Sequence, residues 1–306
     1  MGKEVSYRPV ASPLLECVPN VSEGRDPRAI EAIAEAVRAV PEARLADLHS
    51  DPDHHRAVFS VIGPPRAVER AALALAEAVF ARVDMREHRG MHPRLGALDV
   101  LPFVPLRDLT MDDAVAVARR VGASVASAYA LPVYFYGAAA SRPERHLARD
   151  IRRGEYEGLA ARLAEPAWQP DAGPATFVAR LGAVMVGARE VLVAYNVWLD
   201  SQDLDAARAI ARAVRESSGG LPAVQALGVP LARRGLVQVS MNLVDYRRTG
   251  IARAYDAVAA EARRRGIGIT RGELVGLTPR AALEGRTPES VGLAGLSDSN
   301  YLETYL

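Results

Sequence analysis

The stretch GLVQVSMNL, residues 235–243, sets Val237, Val239, Met241 and Leu243 against Gln238, Ser240 and Asn242. A period of two places alternate side chains on opposite faces of a β-strand, so this strand has one apolar and one polar face. Working outward, a strand is expected at 222–229. Before it comes a helix at 203–216, with Leu204, Ala207, Ile210, Ala211 and Val214 inward, broken by SSGGLP. The run EVLVAYNVWL, 190–199, opens the series as another strand. A helix near 250–265 and a strand near 268–276 close it. The order is βαββαβ.

The first half repeats that order. LLECVP, 14–19, reads as a short buried strand, and NVSEGRDP follows as a loop. Asp26 is a good N-cap and Pro27 suits the first helical position of a helix over 27–40, with Ile30, Ile33, Ala34, Val37 and Val40 at helical spacing. Strands at 43–48 and 56–62, a helix at 65–83 and a strand at 97–105 complete the unit. Thr110 then caps a further helix, with Asp113 in the capping-box position, and PVYFYG, 132–137, is one more strand. The fold class expected is α/β (α+β): two ferredoxin-like βαββαβ subdomains, each a mainly antiparallel or mixed sheet covered by helices. They divide as 1–184 and 185–306 and join near 175–188, with a groove or tunnel between them. The tail from about 285 carries weak signals.

The chain has 306 residues, 49% of them hydrophobic, and a formal net charge of +1. That supports a sizeable core and excludes a strongly electrostatic nucleic-acid binder. The single cysteine, Cys17, allows no internal disulfide, and its place in an apolar strand reads as packing. No apolar run reaches membrane-spanning length and no signal-peptide pattern is present. A cytoplasmic protein without nucleic-acid or membrane partners is expected.

Five of the six histidines lie between residues 49 and 92, in HSDPDHHR and EHRGMHPRLG. Pro93 pushes His92 toward extended backbone. An imidazole of ordinary pKa near 6.5 on such a strand-end loop suits a general base. The alternative is a loop histidine bonded to a carbonyl. Arg86, Arg89 and Arg94 could hold carboxylates, or form a solvated face. Asp51, Asp53, His54 and His55 with His49 could ligate a metal, or make a polar turn cornered by Pro52.

The segments LLECVPNVSEGRD, DMREHRGMHPRLGALDVLPFVPL, LPVYFYG, IRRGEYEGL, DAGPATFVARLGAVMVGARE, VLVAYNVWL and VQVSMNLVDY occur in order between about residues 14 and 285. Together they resemble glutamate formiminotransferase, the front part of formiminotransferase–cyclodeaminase, with the cyclodeaminase part absent. The resemblance implies transfer of a formimino group from N-formimino-L-glutamate to tetrahydrofolate, in histidine degradation and one-carbon metabolism. It implies a homodimer, tetrahydrofolate as co-substrate and no tightly bound cofactor or metal. The family's catalytic histidine, in an HPR triplet, falls on His92. Its folate-binding stretch falls on Gly173, Pro174, Ala175, Thr176, Phe177, Val178, Ala179, Arg180, Leu181 and Gly182. Arg94 and Arg56 are candidates for substrate carboxylates, and Asp51 for a cationic amidine. The chain departs from the family pattern at Ala138, where glutamate is common, at His55, and within Ala175–Leu181. Two alternatives stand beside this one: a folate-binding relative without the activity, and a metal-dependent hydrolase using His49–His55.

Overall fold

The computed structural model describes residues 12–306. The first half contains β1 (Leu14–Cys17), β2 (Asn20–Val21), α1 (Pro27–Arg38), β3 (Arg44–Asp51), β4 (Arg56–Gly63), α2 (Pro65–Arg82), β5 (Leu98–Arg107), α3 (Met111–Tyr129), β6 (Val133–Gly137), α4 (Ala148–Ile151), α5 (Glu155–Leu163) and β7 (Val184–Ala188). The second contains β8 (Val193–Asp200), α6 (Leu204–Val214), β9 (Val224–Leu231), β10 (Leu236–Leu243), α7 (Ile251–Arg264) and β11 (Gly268–Val275). Among the described residues no helix is long and apolar enough to cross a membrane.

The second sheet runs β11-β8-β10-β9 with every pair antiparallel, the order expected of a βαββαβ unit. In the first sheet β4 lies between β3 and the broken strand β1/β2, and β5 lies on the other side, all antiparallel. Strand β7 then pairs parallel with both β5 and β6, extending the sheet to seven strands. Two expectations need revising. The strand expected at 14–19 ends at Cys17, and a second short strand, Asn20–Val21, follows in the stretch read as a loop, with Pro19, which has no N–H to donate, between them. The stretch 175–188, taken as the junction, supplies a strand of the first sheet, so the change of sheet falls after Ala188 and before Val193.

Local chemistry places the helices as the sequence suggests. Asp26 accepts from the Arg28 N–H, and Thr110 and Asp113 form a reciprocal capping box. Helices α1, α2 and α3 bury Ile33, Leu75 and Val121 against Leu15, Phe59 and Phe103. Helices α6 and α7 bury Ile210 and Val258 against Val193, Tyr195 and Val239. Helices α1, α2 and α3 thus cover one face of the first sheet and α6 and α7 one face of the second, while α4 and α5 cover part of the first sheet's other face, with Ile151, Leu159 and Leu163 against Val100, Tyr134 and Met185. The opposite faces look toward each other, and between them lies a cavity of about 490 Å³. This polar face is the one that Gln238, Ser240 and Asn242 announce.

Candidate active site

His92 stands on the loop between α2 and β5. That loop is fastened by backbone bonds: Met85 N–H to the Arg180 carbonyl (2.9 Å), Ala97 N–H to Leu181 (2.9 Å) and Ser22 N–H to Ala97 (2.8 Å). Gly96 packs so closely on the Leu181 and Ala183 carbonyls that a Cβ would lie 2.5 and 2.3 Å from them.

The His92 Nδ1 lies 2.7 Å from the Pro93 carbonyl oxygen. A carbonyl only accepts, so Nδ1 carries the proton and Nε2 keeps its lone pair free. The half-buried ring is pushed well below its ordinary pKa, first by desolvation and then by the Arg56 and Arg152 guanidiniums. Its ring centroid is 5.9 Å from that of His54. The two arginines share one carboxylate: Asp99, fully buried, accepts from Arg56 Nη1 at 2.8 Å and Arg152 Nη2 at 2.6 Å, and from the Leu95 N–H at 2.8 Å. Burial alone would raise Asp99, but the two guanidiniums outweigh it and hold the carboxyl below its ordinary value. Two cations against one anion leave a positive surplus beside His92, suited to an anionic substrate.

His88 is held differently. Its Nε2 lies 2.9 Å from the His55 carbonyl, so Nε2 is the protonated nitrogen, and Nδ1 accepts from Arg94 Nε at 3.2 Å. Its ring stacks on His55 at 4.2 Å. Both nitrogens are occupied, which leaves no free base.

Of the other expected site residues, Arg56 is close enough to act on His92, yet it is buried and bonded to Asp99 and Asn20. Burial lowers its guanidinium to about 10, so it remains charged at neutral pH. Arg94 is spoken for by Glu155 and Glu157. Asp51 accepts from the Asp53 and His54 N–H groups and pairs with Arg234 at 3.2 Å, while Asp53 accepts from the Arg233 N–H and pairs with Arg234 as well. The DPDHHR turn is therefore a clamp between the two halves. Among the described residues no three His, Cys, Asp or Glu groups gather as a metal-holding set.

The Gly173–Gly182 stretch does not wall the cavity. It packs beside the His92 loop, where Gly182 bridges Gly96, Arg180 donates to Ala81, and Phe177 tilts against Tyr156 at 5.5 Å. His92 is not among the residues that line the cavity; Arg152, which does line it, acts on the His92 ring through space. Sequence reasoning missed Arg152, Glu16 and Ser60. Arg152 lies in a segment left without an element, and Glu16 and Ser60 sit in strands read only for their apolar residues.

Fold and site define an α+β protein with a cavity between two sheets, its wall mostly apolar with a few polar groups, and an uncharged histidine acted on by two arginines, one of which, Arg152, lines that cavity. Residues 14–189 match the model of the formiminotransferase domain, N-terminal subdomain, and residues 194–286 that of the formiminotransferase domain. The chain belongs to the formiminotransferase family. It is 37% identical over 270 residues to glutamate formimidoyltransferase of Streptococcus pyogenes serotype M1, covering 88% of this chain and 90% of that one. It is 41% identical over 292 residues to glutamate formimidoyltransferase of Thermoplasma acidophilum, covering 95% and 96%. It is also 41% identical over 278 residues to formimidoyltransferase-cyclodeaminase of Rattus norvegicus, covering 89% of this chain and 51% of that longer protein.

Proposed function

We propose that this transferase moves the formimino group of N-formimino-L-glutamate to tetrahydrofolate, with His92 as the proton carrier. Two near-full-length relatives are named glutamate formimidoyltransferase. The observation that carries the role of His92 is its Nε2, which has no partner among the described residues, in a neutral ring fixed by the bond from Nδ1 to Pro93. An amine nitrogen of the reduced pterin attacks the formimino carbon and forms a C–N bond. His92 Nε2 takes the proton that this nitrogen sheds. It returns the proton to the glutamate nitrogen as the old C–N bond breaks, giving formimino-tetrahydrofolate and glutamate.

The low basicity of His92 fits this sequence. Arg56 and Arg152 help to depress it. Carboxylates of the donor settling near them neutralise part of that charge, so the imidazole becomes a stronger base when the donor arrives. With Arg94 and Asp51 engaged elsewhere, the carboxylate contact passes to Arg152, on the cavity wall. The Gly173–Gly182 stretch, fastened to the histidine loop, remains our candidate for the outer folate contact. Holding both reactants in one cavity supplies much of the remaining acceleration.

The test is a titration of tetrahydrofolate into the protein, with and without formimino-glutamate, alongside an assay for formimino-tetrahydrofolate. Binding with turnover is expected. Binding without product in the presence of both substrates would make the chain a folate binder lacking the activity.

A further inference from the structure

The strand pair β1/β2 presents Glu16, Val18 and Asn20 to the cavity, while Leu15, Cys17 and Val21 face the core. A glutamate on such a strand is out of place. Glu16 is only 4% exposed, and among the described residues no group donates a hydrogen bond to its carboxylate; Arg189 acts on it through space. Burial raises its carboxyl to about 7. A second buried polar group stands on the same wall. Ser60 is 1% exposed, lines the cavity, and among the described residues its Oγ has no hydrogen-bond partner. Glu16 pairs across the sheet with Ile62, and Ser60, two residues along that strand, points to the same face as its diagonal neighbour. Buried polar groups are normally satisfied. Among the described residues, an acceptor pair without a donor beside a hydroxyl without a partner, both on a cavity wall, marks a site shaped for a ligand edge carrying two donors and then an acceptor.

Taking the folate reading above as the premise, we infer that Glu16 and Ser60 bind the pyrimidine edge of the reduced pterin. The 2-amino group and N3–H of that edge lie side by side and match the two carboxylate oxygens. The adjacent 4-oxo group accepts from the Ser60 hydroxyl. Spacing agrees with the chemistry. Asn20, which holds Arg56 beside His92, is four residues from Glu16, or about 13 Å along the strand. A bicyclic ring with a hydrogen bond of about 3 Å at either end fills that span. The pterin is thereby laid with its reacting nitrogen toward His92, and Glu16 acts as a binding and specificity residue for the acceptor.

The test compares binding of tetrahydrofolate and its 2-desamino analogue to the wild type, Glu16→Gln and Ser60→Ala. Glu16→Gln keeps the volume but sets an amide N–H against a ligand donor. It should weaken tetrahydrofolate by about 30-fold or more while binding the analogue as the wild type does. Ser60→Ala should weaken both ligands alike, by about 3- to 10-fold, because both keep the 4-oxo group. Equal losses for both ligands in Glu16→Gln, or no loss for either, would overturn the assignment and leave the folate reading intact. Failure of the wild type to bind tetrahydrofolate at all would overturn that reading and this assignment together.

Discussion

His88 and His92 share a loop, yet their hydrogen bonds give them opposite capacities. His88 spends both nitrogens on the His55 carbonyl and Arg94, whereas His92 spends one. Burial lowers the His88 imidazole from 6.5 to about 4, and His54 and His92 are pushed the same way. Between those values the unfolded chain binds protons that the folded chain refuses. Stability is therefore full above pH 6.5 and falls as the pH drops toward 4, by up to about 1.4 kcal/mol per pH unit for each such group. Urea denaturation at pH 7, 5.5 and 4.5 measures the slope. His88→Gln should make it shallower by as much as one group's share, and an unchanged slope would mean that His88 is charged in the folded protein. Of these residues His92 was legible in the sequence as a loop position, because Pro93 follows it, and was singled out as the base only through the HPR triplet of the family it resembles. The arginines were legible as cations but not by partner: nothing in the local pattern ties Arg94 to Glu155 and Glu157, or Asp51 to Arg234, across the fold.

At the scale of the element, the histidine loop depends on backbone packed against backbone. Gly96 lies between the carbonyls of Leu181 and Ala183, and Gly182, at φ +73°, faces Leu95. A methyl group at residue 96 must push strand β7 and the 173–182 segment away from the loop. Gly96→Ala is expected to cost about 2–3 kcal/mol or more, seen as a lowered Tm in thermal unfolding, with turnover falling as His92 shifts. A variant with wild-type Tm would show that the contact yields freely. Strands and helices with a polar side were readable: β10 by its alternation, α1 and α3 by their caps. Strand β7, VMVGA, was not, since a strand buried on both faces has no alternation to display. Helix α5 was missed because Gly158 interrupts a short and weakly amphipathic stretch.

Across the whole molecule, the two sheets face each other across the cavity, and a few contacts tie them. Arg234 reaches from the β9–β10 turn to Asp51 and Asp53, Gln238 meets His54 at 2.7 Å, and the Tyr305 hydroxyl in the tail lies 3.2 Å from the Ala46 carbonyl and 2.8 Å from that of Ser299. Arg234→Ala leaves two largely buried carboxylates without their cation. It should destabilise the protein by about 3 kcal/mol and raise KM as the cavity loosens; stability within 0.5 kcal/mol of wild type, by about the error of surface substitutions, would show that the clamp does not hold the halves. The paired βαββαβ order was visible from the sequence, whereas the facing of the two sheets rests on these long-range contacts. Chemistry at the meeting of the halves is the central claim, and one comparison tests it most directly: kcat with formimino-glutamate and tetrahydrofolate, beside the Kd for tetrahydrofolate, in wild type, His92→Ala and His88→Ala. Loss of the proton carrier should lower kcat by about 10²- to 10⁴-fold in His92→Ala with little change in Kd, and far less in His88→Ala. Equal losses in the two variants, or an undiminished kcat in His92→Ala, would contradict the account.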